Sequence, residues 1–234
     1  DILIKERNKM NKRKSAFTLA EVLITLGIIG VVAAITIPVL MAKINEQVHK
    51  AQLKKVMSTL NQSLKMVYNN TDTIYDCYYG ENGYTGTATD CNALDSEMRK
   101  VLKIAQVCES KAYEKGCIPK YKGKDTILKE TYGDDYNLDF NNSNCGGLNE
   151  NNVLNKNRAL VLLDGTIIGE YLGAKYMYVD VNGKKGPNRW GYDIFVLKLV
   201  AKNDAGVSYY PECGGCGIVE KGGKSPCQML GLKP

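Results

Sequence analysis

Eight cysteines, at positions 77, 91, 108, 117, 145, 213, 216 and 227, are the first group of side chains here that could do chemistry, and all lie beyond residue 70. An even number confined to one region points to disulfides formed in an oxidising compartment. Cys108 and Cys117 enclose a short loop and are the first expected pair; Cys77 and Cys91 are the second. Cys145 then takes one of Cys213, Cys216 or Cys227 and leaves the other two together. The spacing Cys213-Gly-Gly-Cys216 also suits a redox pair or half a zinc site. Zinc needs a second pair where only Cys227 is near, and no histidine follows. A redox pair opens a helix after a strand, which Pro211 and Gly217 oppose. Structural disulfides are the expected use.

A second group lies in DVNGKKGPNRWGYD, residues 180–193. Its Asp-x-Asn-Gly opening is that of calcium loops, where hard oxygen ligands crowd a tight turn; Asp180, Asn182 and Asp193 are the candidate ligands. Gly191 stands where an EF-hand has its bidentate glutamate, and Lys184 and Lys185 add unfavourable charge. Calcium and a purely structural hairpin loop both stay open. Enzymatic constellations are missing from the sequence: there is no GxSxG, phosphate loop or HExxH, and the single histidine, His49, is read as a solvated helix residue rather than a ligand.

The third candidate is one carboxylate. Val22 to Ala42 is 21 residues without a charge, which as a helix reaches roughly 30 Å, the thickness of a bilayer core. Glu21 sits at its edge. A carboxylate at that depth is costly unless paired or drawn to the interface, and is by default functional. Pro38 removes a helix hydrogen bond within the run, and Gly27 and Gly30 weaken it further. Lys12, Arg13 and Lys14 precede the run, so its N-terminal side is expected in the cytoplasm and the later residues outside. The net charge of +6 is concentrated here: residues 1–16 hold six basic and two acidic side chains. The basic pI therefore gives no argument for a nucleic-acid-binding face. A secretory signal peptide would start similarly, but this run is long, helical sequence follows directly, and no small-x-small cleavage site ends it.

The stretch KRKSAFTLAEVLITLGIIGVVAAITIPVL resembles the N-terminal processing and methylation segment of type IV prepilins and type II secretion pseudopilins, over roughly residues 12–60. The likeness lies in a basic leader, a small residue, Phe17, Glu21 four residues later, an uncharged run and Pro38. The resemblance implies cleavage between Ala16 and Phe17 by a membrane prepilin peptidase, then methylation of the Phe17 amino group. It implies that Glu21 pairs with the Phe17 ammonium of a neighbouring subunit; breaking such a buried pair is costly, so it can enforce register. It implies unwinding between Gly30 and Pro38 on assembly. Other subunits, an assembly machinery and the bacterial inner membrane would be partners, and calcium is bound by some pseudopilins in a C-terminal loop. The sequence departs from the pattern at Ala16, where glycine is usual, and at Ala20, where a larger aliphatic is usual. A leader of ordinary length would begin at Met10, which puts residues 1–9 upstream of the expected start.

Past Ala42, Ile44, Val48, Val56, Leu60, Leu64 and Val67 recur at helical spacing, which predicts one helix over residues 17–69 with its second half packed on a domain at 70–234. Residues 71–150 read as irregular, with a loop at Asn141–Asn144 and one helix from Leu94 to Cys108. Strands are expected at Ala159–Leu163 and Thr166–Tyr171 around an Asp164-Gly165 turn, then at Tyr176–Val181, Asp193–Ala201 and Ser208–Tyr210, with a turn at 203–206. This predicts an α+β fold, a long helix on an antiparallel sheet of about four strands, as in pilins. Two functions compete: a filament subunit of a pilus or secretion machine, and a minor tip subunit or membrane-anchored binding module. Tyr75, Tyr78, Tyr79 and Tyr84 offer either an adhesive surface or half-buried packing.

Overall fold

A 53-residue helix, α1 (Leu19–Thr71), opens the computed structural model, which describes residues 17–71, 75–80, 83–133, 146–170, 175–202, 206–214 and 216–233. The leader, the 141–144 loop, Tyr171, Cys145 and most of the 203–206 turn lie outside the described residues. Two compact units divide after Ile44. In the first, every described residue is exposed except Ala33, which is half-buried. The helix runs through Pro38 without interruption.

In the second unit, α1 buries one stripe: His49, Leu53, Val56, Leu60, Leu64 and Val67. The spacings of three and four residues put these side chains on one face. They pack on a sheet that has eight strands among the described residues: β1 (Tyr78–Gly80), β2 (Gly83–Thr85), β3 (Ile104–Cys108), β4 (Arg158–Leu162), β5 (Ile167–Glu170), β6 (Tyr176–Asp180), β7 (Ile194–Lys202) and β8 (Gly206–Pro211). Strands β3 to β7 pair antiparallel in succession, and β8 pairs antiparallel with β7. Lys198 pairs with Tyr176 on one side and Tyr210 on the other, so β6 and β8 flank β7. Val200 faces Ser208 and also Tyr79, which sets the β1–β2 hairpin beside β7 past the end of β6, as the one parallel pair among the described strands.

The sheet is wider than about four strands because the region read as irregular supplies β1, β2 and β3. The helix expected from Leu94 to Cys108 is instead α2 (Ala88–Val101) followed by β3. A reciprocal cap between Thr87 and Asp90 starts α2, seven residues before the expected boundary at Leu94, and Leu102 ends it in an extended conformation, φ −73° and ψ 139°. The apolar spacing that carried the helix reading onward is overridden by pairing of Gln106 to Cys108 with β4.

Both faces of the sheet are buried. Leu160, Ile168, Met177, Val179, Phe195, Leu197 and Leu199 point to the face covered by α1 and α2. Their neighbours Ala159, Ile167, Tyr176, Tyr178, Ile194 and Val196 point to the other, as the two-residue period of a strand requires. That second face is covered by Ile118, Tyr121, Trp190 and Ile218, by Ile127 from α3 (Lys124–Tyr132), and by Leu148, Val153 and Leu154 from short 3-10 and π turns. Gly169 leaves room for the facing Tyr178 ring, which a Cβ would meet at 1.8 Å. The Asp164-Gly165 turn joins β4 to β5, with Gly165 at φ +89°, a conformation glycine adopts without strain. A last helix, α4 (Pro226–Leu230), is capped by Ser225 and ends at Gly231 in the left-handed conformation. The order is α+β and the arrangement is the pilin-like one expected.

Candidate functional site

The helix begins two residues after Phe17, the expected start of a mature chain. Thr18 precedes Leu19 and acts as its cap: the Thr18 amide and hydroxyl both donate to Glu21 Oε2 at 2.8 Å, and the Glu21 amide donates to Thr18 Oγ1 at 3.2 Å. Thr-x-x-Glu is a capping box, and its carboxylate also faces the positive end of the helix dipole. The pattern is present in the sequence, but there Glu21 drew attention only as a charge beside an apolar run. Phe17 is 85 % exposed, and it lines a shallow concavity with Glu21, Val22 and Thr25. Ala16, the other side of the expected cut, lies outside the described residues.

From Val22 to Met41 the helix exposes apolar side chains around its whole circumference, with Thr25 and Thr36 hydroxyls satisfied by the carbonyls of Val22 and Val32. A helix apolar all round needs a matching apolar medium or neighbouring helices. Among the described residues this is the one helix long and apolar enough to cross a membrane.

Beyond Ile44 the helix is fixed to its domain by polar contacts as well as by its apolar stripe. His49, expected in solvent, is buried, and its Nε2 lies 3.3 Å from Asn182 Nδ2. Lys224 Nζ reaches Glu46 Oε1 at 2.5 Å, and Asn61 exchanges two hydrogen bonds with the Tyr209 backbone.

The candidate calcium residues do lie in one loop, but their oxygens are already used. Asp180 Oδ2 accepts from the Tyr121 hydroxyl at 2.7 Å and Oδ1 from the Asn182 amide at 3.2 Å. Asp193 accepts from the amides of Asn188 and Arg189, both at 2.8 Å. Burial pushes Asp180 up to about 8, with a smaller contribution from Asp193 beside it, and burial likewise raises Asp193. Donors surround these carboxylates in place of a cation, and the side chains as arranged do not fit calcium. No group of three or more His, Cys, Asp or Glu that could hold a metal is found among the described residues.

Cys77–Cys91, Cys108–Cys117 and Cys213–Cys227 are disulfides. Cys216 is disulfide-bonded too, so Cys213 and Cys216 are not partners. The bonds tie the β1 segment to α2, the end of β3 to the following loop, and the end of β8 to α4. Tyr79 and Tyr84 pack 5.9 Å apart with Lys175 Nζ over the Tyr84 ring, and Tyr75 and Tyr78 are half-buried.

One partly buried constellation has no signal in the sequence. Arg158 Nη1 donates to Asp95 at 2.5 Å and to Glu170 at 2.9 Å, and its Nε donates to Glu109 at 2.5 Å. Arg99 adds contacts to Asp95 at 3.1 Å and Glu109 at 2.9 Å. Burial and the adjacent Asp95 carboxylate hold Glu170 up at about 8, while the two arginines lower Glu109. Five residues from α2, β4, β5 and the end of β3 thus form one network at an edge of the core.

No curated protein and no solved structure matches the chain. Residues 11–37 match the family model of the prokaryotic N-terminal methylation motif. The helix cap, the exposed apolar half of α1 and this match coincide on the same residues, so the chain carries the prepilin-type cleavage and methylation signal of type IV pilins and pseudopilins.

Proposed function

We propose that the protein is a structural subunit, a pilin or pseudopilin, of a type IV pilus or a type II secretion-type filament. The observation that carries this is the methylation motif at residues 11–37 opening a helix whose first half is apolar and exposed on all sides. In this reading the chain waits in the inner membrane with its domain outside. A prepilin peptidase cuts between Ala16 and Phe17, and Phe17 is methylated. Subunits then leave the lipid by packing these helices together, which exchanges one apolar medium for another. Glu21 pairs with the Phe17 ammonium of a neighbour, and Gly30 to Pro38 is the segment that yields. The work is mechanical rather than catalytic.

A second reading is a minor tip subunit or an anchored binding module. Its support is the extra layer over the far face of the sheet, built among the described residues from 112–133, 146–154 and the loops around Trp190 and Ile218, which a helix-packing role does not require. Copy number in purified filaments separates the two: a subunit present throughout supports the first, a few copies per filament the second.

The test of both is the mature N-terminus, read by mass spectrometry of protein extracted from membranes. Methylated Phe17 as the first residue is the expected result. A chain starting at Met10 would leave only a membrane anchor, and one starting beyond Ala42 would mean a cleaved signal peptide.

A further inference from the structure

Lysines ring the end of the second unit at which the chain enters it. Three loops meet the first turns of this part of α1: Asn182 Nδ2 lies 3.3 Å from His49 Nε2, Lys224 Nζ lies 2.5 Å from Glu46 Oε1, and a Cβ placed on Gly231 would be 3.8 Å from Lys50 Nζ. These loops carry Lys184, Lys185, Lys221 and Lys233 to solvent, in addition to the half-exposed Lys224 and Lys50. Leu232, 51 % exposed, stands between Gly231 and Lys233.

Little negative charge offsets them. Glu46 is paired with Lys224, and the exposed Asp164 nearby is paired with Lys55 at 2.8 Å. Asp180, Asp193 and Glu220 are buried and bonded within the domain. Lys50, Lys184, Lys185, Lys221 and Lys233 make no salt bridge among the described residues. By sequence, the uncharged run ends at Ala42, three residues before this unit begins at Asn45.

Resting on the reading of that run as a membrane span, we infer that the lysine-ringed end of the domain binds the anionic headgroups of the bilayer. The residue type favours lipid over a shaped protein partner. Among the described residues, the cations of the ring without a salt bridge are all lysines, point charges on mobile stems that suit a fluid and diffuse anionic surface. Arg189, the planar fork that would read a fixed carboxylate, is already engaged with Glu220 at 3.1 Å. Clustered lysines next to a span are attracted to anionic leaflets within a Debye length, and their stems, with Leu232, suit the interface between headgroup and acyl chain.

The full chain is reconstituted into nanodiscs of phosphatidylcholine alone and of phosphatidylcholine with phosphatidylglycerol, and lysines are acetylated and read by mass spectrometry. Lys184, Lys185, Lys221 and Lys233 should lose about threefold or more of their reactivity in the anionic disc. They should regain it at about 0.5 M salt, with Lys65 and Lys115 unchanged throughout. Changing Lys184→Gln and Lys185→Gln together, both exposed and without side-chain partners among the described residues, should weaken protection of Lys221 and Lys233 while the melting temperature holds. A chain that enters both discs with equal lysine reactivity overturns the inference and leaves the span standing. A chain that enters neither overturns both. Protection that comes only with filament formation, whatever the lipid charge, overturns the inference in favour of a neighbouring subunit.

Discussion

Glu21 Oε2 accepts two hydrogen bonds from Thr18, one from its amide and one from its hydroxyl, each at 2.8 Å. The carboxylate proposed to meet a neighbour's ammonium is therefore also the residue that starts its own helix. Two substitutions separate the roles. Glutamine accepts from the cap as glutamate does but carries no charge, whereas alanine removes both; a lost cap costs about 0.5–2 kcal/mol of helix stability. Glu21→Gln and Glu21→Ala should both insert into membranes and both fail to form filaments, as judged by shearing and electron microscopy. Filaments from Glu21→Gln but not Glu21→Ala would show that the cap, and not the charge, is what assembly needs.

What could be read without coordinates follows from which interactions are local. The Val56, Leu60, Leu64 and Val67 part of the α1 stripe and the Asp164-Gly165 hairpin are set by residues within a turn or two of each other, and both stand where the sequence puts them, whereas Ile44 and Val48, expected in the stripe, are exposed and Leu53, outside the expected set, is buried. β3 is not local. Its residues continue the helical spacing of Leu94, Met98 and Val101, and only β4, some fifty residues later, makes them a strand. His49 fits a solvated helix face by its neighbours in sequence, but the 180–193 loop closes over it. At the site, Phe17, Glu21 and Pro38 are legible as a pattern, and the Thr18-x-x-Glu21 cap lies in the same residues, where the charge beside the apolar run is the stronger signal.

Arg158 stands among three carboxylates, Asp95, Glu109 and Glu170, of which Asp95 and Glu170 are buried. Replacing it with methionine should cost about 3–5 kcal/mol above about pH 8, where Glu170 is ionised beside Asp95, the usual penalty for leaving buried charge unpaired, and less at lower pH. Urea unfolding of the extracted protein reads this. A loss under 1 kcal/mol would mean that water reaches the network and screens it.

Glu170 is held up at about 8 against an ordinary 4.5, by burial first and by Asp95 second. A carboxyl with a raised folded value binds more protons folded than unfolded. Its contribution is fully present below pH 4.5 and is lost as pH rises towards 8. Asp180, raised by burial to about 8, acts with the same sign. The melting temperature should therefore decline between about pH 5 and 8. Glu170→Gln keeps an acceptor for Arg158 and should flatten that decline. An unchanged slope would place the titration elsewhere.

The Cys108–Cys117 bridge closes a loop of sequence separation 9, and Cys77–Cys91 one of 14. Loop-closure entropy assigns each about 3 kcal/mol. Replacing either pair by alanines should lower stability by about that amount, and the native wild-type chain should show no reactive thiol until unfolded and reduced. A titratable thiol in the native protein would reopen a redox role for Cys213 or Cys216.

Asp180 gives the sharpest test of the 180–193 loop, because calcium and the observed hydrogen bonds make opposite demands on it. As folded, it receives the Tyr121 hydroxyl and sits 0 % exposed at the end of β6. Burial opposes its charge, so Asp180→Asn keeps an acceptor for Tyr121 and removes what burial penalises. The variant should melt no lower than wild type at pH 8, and millimolar calcium or EGTA should shift neither. A calcium-dependent rise in the melting temperature of the wild type that Asp180→Asn abolishes would show the opposite: that the loop exchanges its internal donors for a cation, with Asn182 and Asp193 as the remaining ligands.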